Sequence, residues 1–126
     1  MVPMDEDAPA LAGVAAQAVD VLNDATSASV AYPGLTGLAD TEAVLVSLTR
    51  LADELQQTAS HLGDYLLDQR AKGALTTAAG SRQTVDAVVD RARRVLERVH
   101  GAAGELSSLL TDAELALLAL QSDPAR

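Results

Sequence analysis

From Ala78 to Leu120 the apolar residues return at alternating steps of three and four, and the series barely misses. It runs Ala78, Ser81, Val85, Val88, Ala92, Val95, Val99, Ala102, Leu106, Leu109, Ala113, Ala116, Leu120, with Ser81 the one departure. A seam held for about six heptads is the mark of a helix packed lengthwise against other helices. No other feature of the chain restricts its fold as strongly.

A second seam precedes it: Leu45, Leu48, Ala52, Leu55, Ala59, Leu62, Leu66. Asp40 or Thr41 is placed to cap this helix, and Lys72-Gly73 to stop it. The spacing predicts helix over 41–71 and again over 76–110. Gly101 and Gly104 weaken the later helix, at about 1 kcal/mol each relative to Ala. Thr111-Asp112-Ala113-Glu114 has the form of a capping box, which predicts a fresh start and a final helix over 112–121. An earlier helix is expected over 8–28, ended by Tyr32-Pro33-Gly34. Residues 1–7 read as an acidic tail and 122–126 as a frayed end.

The chain has 126 residues, which suits one helical domain over 8–121. Its apolar residues are mostly small: there is no Phe, Trp, Cys or Ile, and Tyr32 and Tyr65 are the aromatics. Small side chains bury little area each, so contacts spread along a seam are favoured over a compact core. The expected fold is therefore all-α: an elongated antiparallel helical hairpin or bundle with coiled-coil-like packing and three to four helices. Val44, Leu51 and Leu67 on the second helix, and Val89, Leu96 and Leu110 on the third, widen the apolar face beyond a two-stranded stripe. Homodimerisation is expected to cover it. The packing seam expected to form the interface comprises Leu45, Leu48, Leu55, Leu62, Leu66, Val85, Val88, Val95, Val99, Leu106 and Leu109. Leu115 and Leu118 are candidates for docking a partner protein.

Formal net charge is −9, and it is uneven. Residues 1–75 hold eleven acids against three bases; the remainder holds seven against six. Such a field argues against nucleic acid or anionic lipid as partner. Without cysteine there is no disulfide framework, thiol nucleophile or thiolate metal site. The acidic start does not resemble a secretory signal, and no apolar run nears the roughly 20 residues of a membrane span. A cytoplasmic location is expected, in a bacterium, because usage rich in Ala, Arg, Asp and Leu suits a GC-rich genome.

Candidate chemistry is sparse. Glu97 and His100 have the Glu-x-x-His spacing of di-iron bundles, but their phase sets them opposite Val95, Val99 and Ala102, so no metal is expected. His61 and Asp64 flank the seam residue Leu62 and belong to the outer surface. No residue has the context of a triad or general base, so neither catalysis nor a cofactor is expected. Arg91, Arg93, Arg94 and Arg98 are the one basic cluster and the basis of an alternative, a nucleic-acid accessory role. Asp86, Asp90 and Glu97 interleave with it at ion-pair spacing, and no aromatic residues are present to stack bases. Length and topology are similar to the small helical-hairpin substrates of type VII secretion. Their Trp-x-Gly turn is replaced here by Lys72-Gly73-Ala74, and Tyr65 is followed four residues later by Gln69 rather than an acid. The leading expectation is a non-enzymatic helical protein whose partners are itself and another protein.

Overall fold

A computed structural model describes residues 7–120. Among them are three α-helices and no strand: α1 (Ala8–Ala25), α2 (Leu38–Ala71) and α3 (Val85–Leu117). The chain divides into two compact units, one holding α1 and the turn after it, the other spanning Glu42–Gln121.

In the first unit, Asp7 caps α1 by accepting the Ala10 N–H at 3.2 Å, with a proline in the first turn. Both features suit a helix start, where N–H groups lack partners. α1 stops at Ala25, short of the expected residue 28, and a 3-10 turn follows over Ala28–Val30. The Thr26 hydroxyl donates to the Leu22 carbonyl at 2.9 Å, and Ala31 and Tyr32 take left-handed conformations that no helix continues through. The Gly34 N–H then donates to the Ala25 carbonyl at 2.7 Å. A Cβ at Gly34 would come within 2.8 Å of the Ala25 Cβ, so only glycine permits this approach. Residues 1–6 of the acidic tail and residues 121–126 lie outside the described chain.

α2 begins at Leu38 rather than at 41. Asp40 accepts from both the N–H and the hydroxyl of Thr36, each at 2.8 Å, which fastens the first turn to the preceding segment. At the other end Gly73 is left-handed, with bonds from the Gly73 N–H to the Arg70 carbonyl and from Ala74 to Gln69, both 3.0 Å. That double closure is the standard glycine stop.

α3 starts at Val85, later than the expected residue 76. Left-handed Gly80 bars an earlier start, and the Thr84 hydroxyl caps the helix by accepting the Ala87 N–H at 3.1 Å. The expected break before 112 is absent, and one helix runs through to Leu117. The two ends of the apparent capping box are engaged elsewhere. Thr111 donates to the Ser107 carbonyl within the helix, and Glu114 reaches across to α2.

α2 and α3 pack together as an antiparallel pair. As numbers rise on α2 they fall in step on α3, through Thr49–Glu114, Asp53–Ser107, Gln56–Gly104 and Arg70–Asp90. The buried line between them is made of small residues, Ala52, Ala59 and Gly63 against Ala103, with Val89 the largest member.

Candidate functional site

The line where α2 meets α3 is not the most apolar stripe of either helix. Val89 is 4% exposed and Ala52 only 1%, whereas Val88 is 41% and Leu109 58% exposed. Val95, Val99, Leu106, Leu55 and Leu62 fall between those last two values. These residues of the expected seam therefore are not buried within the hairpin. Leu45, Leu48, Leu66 and Val85 are half-buried. The contact on α3 lies about one position further round, at Val89, Leu96, Ala103, Ser107 and Leu110. Small residues decide this, since Ala and Gly let the helix axes approach where paired Val and Leu columns would hold them apart.

The hairpin consequently has two unlike faces. Residues seven apart on a helix share one direction. On α3 two such columns, Val85-Ala92-Val99-Leu106-Ala113 and Val88-Val95-Ala102-Leu109-Ala116, are wholly apolar. Beside them stands the α2 column Leu48-Leu55-Leu62. Near the middle of this face is an apolar groove of about 390 Å³, floored by Ala59 and Ala103 and walled by Leu55, Leu62, Val99 and Leu106. A second apolar pocket, about 360 Å³, lies at the turn end between Leu66, Leu75 and Val88.

The opposite face is polar. Thr49 donates to Glu114 at 2.8 Å and Ser107 donates to Asp53 at 2.6 Å. Arg70 donates to Asp90 at 2.9 Å and lies 3.8 Å from Asp86. Asp86 and Asp90 thus pair across the hairpin rather than along α3 with Arg94, as their spacing suggests. A shallow depression of about 270 Å³ is lined by Ser60, Asp64, Arg93, Glu97 and His100. Among the described residues no group of three or more His, Asp or Glu side chains is placed to hold a metal ion.

Compared with known protein families, curated proteins and solved structures, the chain shows no match to any.

The arginine cluster does not form one patch. Arg93 lines the polar depression, while Arg91 and Arg98 share a column on the outer edge of the apolar face. That column continues as Glu105 and Asp112, and all four residues are exposed. Its charge order is the feature that the apolar periodicity alone passed over, and reading every seventh residue would have found it. Leu115 and Leu118 are exposed at the end of α3. No described helix is long and apolar enough to cross a membrane.

Proposed function

We propose that this protein acts without catalysis, by self-association and protein–protein contact through the apolar face of the α2–α3 hairpin, in a structural or adaptor role. The observation that carries the reading is the exposure of the whole α3 column Val88-Val95-Ala102-Leu109-Ala116, with Val99 and Leu106 of the column beside it and Leu55 and Leu62 of α2. Monomeric proteins rarely leave an apolar patch of more than a few hundred Å² in water. A strip about 45 Å long, for 30 residues at ~1.5 Å each, and about 18 Å wide approaches 800 Å². A standard interface buries about that much per partner. Coiled-coil-like packing between hairpins, giving a four-helix bundle, would cover it.

The test is the mass in solution at tens of micromolar by light scattering. A dimer or larger assembly supports the reading, and a monomer overturns it.

A further inference from the structure

The second copy has one orientation written into it. We propose that two hairpins meet face to face with their turns at opposite ends, α3 lying antiparallel on the partner's α3 and α2 on the partner's α2. The two-fold axis crosses both helices at the level of Ala102 and Thr58. This rests on the self-association proposed above and specifies its geometry.

The argument begins with charge. On the outer edge of the apolar face, α3 presents Arg91, Arg98, Glu105 and Asp112, each seven residues from the next. In an antiparallel helix pair, residues of the flanking column meet their counterparts in reverse order. Reversal sets Arg91 against the partner's Asp112 and Arg98 against the partner's Glu105, with the centre between Gly101 and Ala102. Two positive residues followed by two negative ones are complementary to their own reverse, and every charge is matched.

Side-chain volume repeats the symmetry. Reversal about Ala102 sets it on itself, where close approach is easiest, and pairs Val95 with Leu109, while Val99 and Leu106 of the neighbouring column are centred within half a residue of the same level. On α2 the contacts Asp53–Ser107 and Gln56–Gly104 fix the level matching Ala102 at Thr58. Leu55 paired with Leu62, and Glu54 set against His61, are each centred within half a residue of Thr58, on either side of it. One axis thus satisfies both helices, although nothing requires their symmetry centres to coincide. The 390 Å³ groove, lined by Thr58 and Ala102 among others, is centred on that same level.

The competing arrangement, with both turns at one end, lays α2 on the partner's α3. It opposes Glu54 to Glu105, which share a level in the hairpin, and sets His61 beside Arg98, with Asp68 against Arg91 its one matched pair, so it satisfies fewer charges than the reversal does.

The chain's lack of cysteine permits clean tests. Ala102→Cys, oxidised under mild conditions, should give a covalent dimer on a non-reducing gel, whereas Val88→Cys should not. A nitroxide on Ala74→Cys, at the exposed turn, should give a pulsed-EPR separation of about 50 Å, against about 20 Å with the turns together. Arg91→Glu with Arg98→Glu should raise the dimer dissociation constant about ten-fold or more, since four ion pairs become repulsive. Adding Glu105→Arg and Asp112→Arg should restore it. A dimer that shows the short separation, or that the four-fold exchange fails to restore, overturns this orientation and leaves self-association standing. A monomeric wild-type chain overturns both.

Discussion

Gly104 on α3 lies against the side chain of Gln56 on α2: a Cβ built at Gly104 would sit 3.1 Å from Gln56 Oε1. Gly101, one turn earlier, has open space around it. The two glycines therefore predict different outcomes. Gly101→Ala should stabilise by about 0.5–1 kcal/mol, the helix-propensity difference. Gly104→Ala gains the same propensity but asks Gln56 to shift by a few tenths of an ångström, and its flexible amide end can do so, leaving a small net change. Gly104→Leu forces the helices apart and should cost about 1–3 kcal/mol. Urea melts of the three variants check the order.

Neighbouring valines on α3 should separate folding from association. Val89 is buried between the helices and Val95 is half exposed on the apolar face. Val89→Asp places an unpaired charge inside the hairpin at a cost of several kcal/mol and should abolish the helical signal. Val95→Asp should keep the helical circular dichroism and lose the dimer. Glu97→Ala, on the polar face, should change neither.

Asp40 offers a local pH prediction. Hydrogen bonds from the Thr36 N–H, and then from its hydroxyl, hold the carboxyl below the ordinary carboxylate value. A depressed folded pKa contributes stability that is present above the unfolded value near ~3.9 and is lost as pH falls through the folded one. Thr36→Val removes the hydroxyl bond and keeps the N–H bond. The Asp40 pKa should therefore rise part of the way back, as followed by NMR titration of the side-chain carboxyl.

Arg70 ties the end of α2 to Asp90 and Asp86 on α3, with its side chain partly exposed and both acids more so. Pairs this wet contribute little, so Arg70→Met should cost at most about 1 kcal/mol in a chemical melt, and the cost should shrink at high salt.

Helix existence and the hairpin were legible because periodicity and turn residues such as Gly73 act locally. The contact line lies about one position round from the most apolar columns, for a physical reason. Sequence pattern finds the most apolar columns, but α2 and α3 meet along Ala52, Ala59, Gly63 and Ala103 with Gln56, Ser107 and Arg70 beside them. The larger Val and Leu columns are left facing outward. Likewise, Thr111 and Glu114 resemble a helix start until the fold supplies Thr49 as the partner of Glu114. The outward face and its edge charges became interpretable once the levels of the two helices were fixed against each other.

Sedimentation equilibrium on the wild-type chain, run from one to one hundred micromolar as about a hundred-fold range that brackets ordinary dimer affinities, tests the central claim most directly. The account predicts a mass rising towards twice the 13.0 kDa of the chain. A mass that stays at 13.0 kDa throughout, with helical content intact, would contradict it.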